Sequence, residues 1–312
     1  MSESLSDIRA RIHQKSQDYF TFAYGRRERA DWRMFYGATD ALLDASTAAA
    51  AFGEAVRGQA PADLLVCYGF LQALYIQQDA VWTLSRAVGL EWHPNKDPTI
   101  KKIRDIRNRL TGHPALAGER DQQKRLSSAV ISYNDVRPEC FRGFIYYEDR
   151  GEPIKIDVSM ILRDNEARLA LQAAKIEMEM DRQERNFRSE HANKPFSDNF
   201  GKGFDYIAGK LRCDLSDEGD LVQALTHVRM VREVLQNLQS DLGGRGFNLN
   251  SISYHFDRIF AALDFMTLIM QKKRHSRSDQ FKLDLIADGF DKNLTIVKSI
   301  VEEIDSTLRA EI

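Results

Sequence analysis

The stretch "ADLLVCYGFLQALYIQQDAVWTLSRAVGL", residues 62–90, decides the fold, because it is the most apolar long segment of the chain. A helix that is apolar over most of its surface belongs in a protein interior. We therefore expect residues 62–90 to form the central helix of the core. Four residues with polar groups nevertheless share one stripe of this helix, at steps of three, four and seven: Gln72, Tyr75, Asp79 and Arg86.

The segments on either side have the apolar periodicity of amphipathic helices. This spacing predicts helices over residues 5–24, 31–56, 98–111 and 163–191, and about three more after residue 203. The helix at 163–191 carries one apolar stripe: Leu162, Leu169, Ala173, Ile176, Met180 and Phe187. The middle C-terminal helix has a second set at core spacing: Phe256, Ile259, Phe260, Leu263, Met266, Ile269 and Met270. The fold class that follows is mostly α.

The period changes between residues 127 and 159. The sequences "SSAVISYN", "FRGFIYYE" and "PIKIDVS" are rich in β-branched and aromatic residues, and the last two flank the turn "DRGE". This pattern predicts a small β-hairpin with a third strand. The stretch "HANKPFSDNFGKG" then breaks the helical pattern. We expect a helical bundle with a β insertion over residues 1–195 and a helical C-terminal region over 196–312.

Composition narrows the function classes. The chain has 312 residues, of which 43% are hydrophobic and 29% charged, and a net charge of −2 gives it no global attraction to polyanions. Its three cysteines form no CxxC pair, and no histidine follows a glutamate by three residues, so neither a disulfide framework nor a metal site is indicated. The N-terminus is polar and lacks the apolar core of a signal peptide, and the apolar run at 259–270 is too short to span a bilayer. We expect a cytoplasmic protein without a cofactor.

The sequence "TIKKIRDIRNRLTGHPA", residues 99–115, is the candidate functional segment. On a regular helix an apolar stripe forms along Ile100, Ile103, Ile106 and Leu110, and Arg107 falls inside it. Because burial of an unpaired guanidinium is costly, Arg107 needs a carboxylate, an anionic ligand or a wet interface. The other polar residues of the segment are expected to point elsewhere: Lys101, Lys102, Arg104, Asn108 and Arg109.

The end of this segment brings a second group towards Arg107. Gly112 ends the helix and Pro114 disfavours helical dihedral angles at His113. An unbroken helix would hold the two side chains about 120° apart. The break lets the imidazole of His113 fold back towards the guanidinium.

The motif "IRNRLTGHP" resembles the signature of the HEPN superfamily, which consists of all-helical domains. Its ribonuclease members carry an arginine, a polar residue and, after a few more positions, a histidine, here Arg107, Asn108 and His113. The resemblance implies metal-independent RNA cleavage at a site commonly assembled between two subunits of a homodimer. It also places the HEPN-like bundle on residues 1–195. Many small toxins of the family have a tyrosine two positions after the histidine, and a partner antitoxin can silence them by modifying it. This chain has Ala115 at that position, so the resemblance does not imply this form of silencing.

The residues of the segment suit that chemistry. In this interpretation His113 transfers a proton to or from ribose, Arg107 holds the phosphate and Asn108 positions either group. The basic side chains of Lys101, Lys102, Arg104 and Arg109 contact the RNA backbone. Asp79 is a supporting residue that pairs with Arg107 or orients His113, although an Asp79–Arg86 link along the core helix is an equal alternative.

Other interpretations stay open at this stage. Two further arginine–histidine matches exist, Arg86 to His93 and Arg185 to His191, but the first lacks the polar residue and acidic residues surround the second. The motif at Arg107 is also compatible with a helix end whose arginine is paired internally. The protein would then be a non-catalytic HEPN-like protein that binds a nucleotide, an RNA or a protein partner such as an antitoxin, or a purely structural adaptor.

Overall fold

The computed structural model describes residues 4–23, 29–112, 127–147, 150–215, 220–247, 250–272 and 276–309. The protein is mostly helical and carries a small three-stranded antiparallel sheet, as the sequence predicts. The chain divides into two compact units. The first comprises Met1–Asp18 and Glu28–Asp181, and the second comprises Tyr19–Arg27 and Arg182–Ile312.

The described residues form ten α-helices and three β-strands, in the order below. The helices are α1 (Leu5–Ala23), α2 (Arg29–Ala50), α3 (Phe52–Ala55), α4 (Ala60–Ala87), α5 (Pro98–Arg107), α6 (Val158–His191), α7 (Phe204–Asp214), α8 (Leu221–Gly244), α9 (Asn250–Met270) and α10 (Arg277–Arg309). The strands are β1 (Ser127–Ile131), β2 (Cys140–Tyr147) and β3 (Gly151–Asp157), all between α5 and α6.

Helix α4 is the central helix of the first unit, which confirms the prediction made from its apolar sequence. Pro61 lies in its first turn, where the missing N–H costs nothing. Helix α4 packs along α2, and its buried side chains join those of the sheet in one core. The rings of Phe52, Phe70 and Phe141 meet at this junction, with centroids 4.8 to 6.4 Å apart.

The sheet has the order β1-β2-β3, and both pairs are antiparallel. All three predicted strands are present. Helix α6 begins at Val158, earlier than the predicted start at 163, because Asp157 caps it: the Asp157 carboxylate accepts a hydrogen bond from the backbone N–H of Met160 at 2.9 Å. The sheet therefore passes directly into α6.

A chain of buried amides joins α4 to α6. The Nε2 group of Gln78 donates to Oδ1 of Asn165 at 2.8 Å, and Nδ2 of Asn165 donates to Oε1 of Gln77 at 2.7 Å. Gln77 in turn donates to the hydroxyl of Ser46 on α2 at 3.1 Å. The two bonds to Asn165 are buried and the bond to Ser46 is partly buried, and an unpaired polar group in such surroundings is costly. The network therefore fixes the rotation of α4 relative to its neighbours.

The second unit is built from α7 to α10 around its own core. The stripe that the sequence predicts on α9 is buried in that core, apart from the half-buried Phe260. Phe187, near the end of α6, belongs to the same core, and its ring lies 5.5 Å from that of Phe247. The predicted boundary at 195/196 accordingly lies within the second unit, since the last turns of α6 already belong to it.

Two general properties bear on the function classes. Among the described helices, none combines the length and the apolar character that a bilayer crossing requires. No disulfide joins any two of the three cysteines, all of which lie in the described ranges. Burial, together with the nearby Asp63 carboxylate, raises the pKa of the Cys67 thiol to about 12, so this thiol is a poor nucleophile at neutral pH.

Candidate functional site

The candidate segment begins as predicted. Asp97 caps α5 by accepting hydrogen bonds from the backbone N–H groups of Thr99 and Ile100, and Pro98 occupies the first turn. The end of the segment differs from the prediction. Helix α5 stops at Arg107, and Asn108–Gly112 form one turn of π-helix instead of a regular helical end.

The sheet explains how this π turn is accommodated. Leu110 in the turn is 1% exposed and packs against β2 at Gly143. A Cβ atom at position 143 would lie 2.7 Å from Cδ2 of Leu110, closer than real contacts allow. Glycine at this position therefore lets the turn approach the sheet. Single π turns within helices occur frequently at functional sites.

Arg107, just before the turn, is half-buried and held by neutral groups. Its Nε and Nη2 both donate to Oε1 of Gln72, at 3.2 and 2.7 Å, and its Nη1 donates to Oδ1 of Asn108 at 3.0 Å. The guanidinium carbon lies 4.4 Å from the centroid of the Tyr75 ring. These contacts fix the plane of the guanidinium without neutralising its charge.

Two consequences follow for an incoming anion. Within the described residues, no carboxylate lies within ion-pair distance of Arg107, so its positive charge is uncompensated. A guanidinium carries five N–H donors, and the three contacts above engage three of them. One N–H remains on each terminal nitrogen, which is the arrangement that binds two oxygens of a phosphate.

Arg104 does not point away from the core, and that expectation is wrong. It is 7% exposed, its Nη1 donates to Asp79 at 2.8 Å and to Gln78 at 3.5 Å, and its guanidinium carbon lies 3.9 Å from the centroid of Tyr75. Arg104 follows Ile100 by one helical turn, so it lies on the edge of the apolar stripe. Its burial there is tolerated because the carboxylate of Asp79, on the adjacent helix α4, forms an ion pair with it.

The structure answers part of the question about Asp79. The Asp79 carboxylate binds Arg104, and among the described residues no ion pair joins it to Arg107 or to Arg86. The alternative in which Asp79 orients His113 involves a residue outside the described ranges. The ring of Tyr75 lies against both guanidinium groups, the paired one of Arg104 and the unpaired one of Arg107.

The remaining basic residues of the segment lie on the surface. Lys101, Lys102 and Arg109 are exposed and have no ion-pair partner in the residues that the structure covers. Residues 98–112 contain five basic side chains and one acidic side chain, Asp105, a formal charge of +4. The carboxylate of Asp79 offsets the charge of Arg104, so a net charge of +3 remains on this segment, although the whole chain has a net charge of −2.

His113, the predicted proton-transfer residue, lies outside the described residues, and it follows the π turn directly in the sequence. The two competing motifs differ from the one at Arg107. Arg185 is exposed, as expected from its position off the apolar stripe. His93 has its Nδ1 engaged as an acceptor from the backbone N–H of Asn95, at 3.1 Å.

The sequence interpretation assigned no role to Gln72 or Tyr75, although both lie on the polar stripe of α4. Their signal was the presence of polar groups on an otherwise apolar core helix. Polar groups there need partners, and Arg104 and Arg107 are those partners. The described residues contain no group of three or more histidine, cysteine or acidic side chains placed to hold a metal ion.

No family model, no curated protein and no solved structure matches this chain.

Proposed function

We propose that this protein is a metal-independent endoribonuclease of HEPN type, in which Arg107 binds the phosphate that is cleaved and His113 transfers protons. The observation that carries the proposal is the state of Arg107: a half-buried guanidinium, oriented by two amides and a ring, with no carboxylate beside it in the described structure. A purely structural arginine at this depth would be expected to have an acidic partner, as Arg104 does.

The chemistry of an RNA phosphodiester suits this arrangement. The two free N–H groups of Arg107 donate to the two non-bridging oxygens and stabilise the negative charge that develops on them. Asn108 keeps the guanidinium in register through its Oδ1, and its amide nitrogen is available to a phosphate oxygen. The exposed Lys101, Lys102 and Arg109 attract the flanking phosphates.

In the proposed reaction the ribose 2′-oxygen attacks the adjacent phosphorus, and the bond from phosphorus to the 5′-oxygen breaks. His113 takes the 2′-hydroxyl proton or supplies a proton to the leaving 5′-oxygen, since imidazole is the side chain that exchanges protons most readily near neutral pH. Solvent or a second histidine, contributed by another subunit, completes the proton balance. The products are a 2′,3′-cyclic phosphate and a 5′-hydroxyl.

The fold and the assembly belong to the same proposal. A mostly helical unit that presents the motif at the end of a short helix is compatible with a HEPN-like bundle. A homodimer would place two copies of the motif side by side, as the resemblance implies. The β insertion supports the motif directly, since Leu110 of the π turn packs on β2.

The experiment is a cleavage assay on single-stranded RNA with purified variants. We expect Arg107→Ala and His113→Ala each to reduce the cleavage rate by at least about a hundredfold, the typical cost of losing a transition-state donor or a general acid–base group. Arg107→Lys should restore little activity because an ammonium cannot make the bidentate contact.

Arg109→Ala and Arg185→Ala are matched controls, since both remove an exposed guanidinium from the chain. Arg109→Ala should weaken binding modestly and Arg185→Ala should have no effect. Full activity of Arg107→Ala would overturn the proposal. A third outcome is that the wild type binds RNA without cleaving it and that Arg107→Ala loses this binding. This result would identify a non-catalytic binding protein and refute the enzymatic assignment.

A further inference from the structure

A cluster of aromatic and charged side chains lies on the first unit, at the C-terminal end of α4 and in the segment that follows it. It lines an open cavity of about 390 Å³. Six of its lining residues have groups that bind nucleotides: Trp82, Arg86, Glu91, Trp92, His93 and Lys96. This volume lies within the ordinary range of small-ligand sites, roughly 300 to 1,000 Å³.

The aromatic residues form the floor of this cavity. The rings of Trp82 and His93 meet edge-on with centroids 4.5 Å apart, and Trp92 lines the same cavity. Trp82 and Trp92 are both half-buried, so each is fixed in the fold and still keeps exposed surface. Indole faces stack well on nucleobases, because every base presents a π-face.

The rim of the cavity carries unpaired positive charge. Arg86 and Lys96 are exposed, and neither has an ion-pair partner in the described ranges. The guanidinium carbon of Arg86 lies 5.7 Å from the Trp82 ring centroid, close to the stacking surface. Glu91, the acidic residue on the rim, offers an acceptor for the exocyclic amino group of a base.

The cavity continues the stripe that leads to Arg107. At 100° per residue, Gln72, Tyr75, Asp79, Trp82 and Arg86 fall within about 80° of one another on α4. Gln72 holds Arg107, and Trp82 lies ten residues further along, which is about 15 Å at the helical rise of 1.5 Å per residue. A few nucleotides of extended single-stranded RNA cover such a distance.

We infer that this cavity is a nucleotide subsite, in which a base stacks on Trp82 and Trp92 while its phosphate binds Arg86 and Lys96. The nucleotide belongs to the same single-stranded RNA whose phosphate lies at Arg107, so the inference rests on the proposed function. Glu91 gives the subsite a preference for bases with an amino group over uracil. A duplex is a poor substrate, since its bases cannot leave the stack without a cost in free energy.

The test uses tryptophan fluorescence in a protein that cannot turn over its substrate. The chain has three tryptophans, and the variant Trp32→Phe, His113→Ala leaves only the two of the cavity as reporters. Oligoadenylate should quench their emission, and an oligouridylate of equal length should bind more weakly. Arg86→Glu and Lys96→Glu should each raise the Kd roughly tenfold, about 1.4 kcal/mol. The control Arg185→Glu, an equal charge reversal in the second unit, should change the Kd less than about twofold.

Two further measurements test whether the bound nucleotide is part of an RNA or a free mononucleotide, and whether the Trp82 ring stacks on its base. If the subsite serves RNA, an octanucleotide binds at least about tenfold more tightly than AMP, and Arg107→Ala removes this advantage. Equal affinity for AMP and the octanucleotide, unaffected by Arg107→Ala, would overturn the link to RNA. Trp82→Phe should retain more affinity than Trp82→Leu, with circular dichroism confirming that both variants fold.

The subsite and the proposed cleavage can fail separately. Because binding is measured without His113, absence of cleavage in the wild type refutes the ribonuclease and leaves the quenching result unchanged. Absence of quenching by every nucleotide tested, or an equal loss of affinity in Arg185→Glu, overturns the subsite even if the protein cleaves RNA.

Discussion

Replacement of Gln72 by glutamate tests whether Arg107 is kept free of a carboxylate for the sake of a ligand. The two side chains have nearly the same volume, and Oε1 of Gln72 already accepts two hydrogen bonds from Arg107. Glutamate should keep both bonds and convert them into an ion pair. For a half-buried pair we expect the free energy of unfolding to stay the same or to rise by up to about 1 kcal/mol.

The effect on RNA binding should be opposite in sign. A phosphate bound to the far edge of the guanidinium lies about 6 Å from the new carboxylate, and two unit charges at that distance repel by about 3 kcal/mol at an effective dielectric constant of 20 and by about 0.7 kcal/mol in water. The Kd for RNA should therefore rise between about threefold and a hundredfold. The structure favours the upper half of this range because Arg107 is half-buried.

The assay is fluorescence anisotropy with a labelled single-stranded oligonucleotide at fixed salt, in the His113→Ala background, together with thermal unfolding of each variant. Gln236→Glu, on the exposed face of α8, is the matched control for the added charge. Wild-type RNA affinity in Gln72→Glu, with the fold intact, would refute the reasoning that the uncompensated charge of Arg107 binds phosphate. Equal weakening in both variants would mean that only the net charge matters.

Three further predictions concern the scaffold around the site. Gly143→Ala should destabilise the fold by about 1–3 kcal/mol through overpacking against Leu110; Leu110→Ala is destabilising on its own because it leaves a cavity, but the double variant should lose less than the sum of the two single losses, as urea unfolding of the single and double variants would measure. Asn165→Ala leaves Nε2 of Gln78 and Oε1 of Gln77 without their partner and should cost about 2–4 kcal/mol, measured by the same unfolding; a loss below 0.5 kcal/mol, roughly the additivity error, would argue against the network. Hydrogen bonds from Arg11 lower the pKa of the Glu177 carboxyl in the folded protein. The stability that these bonds confer is therefore present above the ordinary pKa of 4.5 and is lost as the pH falls through the lower pKa of the folded state. Glu177→Gln should flatten this acid dependence of the melting temperature.

Local patterns predicted the mostly helical character of the chain and its three strands, although four helices, α7 to α10, follow residue 203 where about three were expected, and the helix predicted over 31–56 is divided into α2 and α3. The apolar length of residues 62–90 predicted the central helix, and the change from helical to alternating spacing predicted the three strands. The start of α5 near residue 98 was also predicted, since proline is favoured in the first turn of a helix, whereas the cap by Asp97 is seen in the structure. These features depend on residues close together in the chain.

The details of the site depend on partners that are distant in sequence. Arg104 lies at the edge of the apolar stripe of α5, and only the carboxylate of Asp79 on another helix determines that it is buried. The π turn likewise depends on the missing side chain at Gly143, in a strand that follows later. A helical wheel of α5 alone does not show which residues of other elements contact it. For the same reason a wheel of α4 does not show that Gln72 and Tyr75 contact the arginines of α5, so their roles were not predicted.

We propose above that this chain cleaves RNA through Arg107 and His113 by attack of the 2′-oxygen. The most direct test is end-group analysis of RNA incubated with the wild type, Arg107→Ala and His113→Ala in the presence of a metal chelator. The account predicts fragments with 2′,3′-cyclic phosphate and 5′-hydroxyl ends from the wild type alone. Fragments with 3′-hydroxyl and 5′-phosphate ends, or the same fragments from all three proteins, would contradict it.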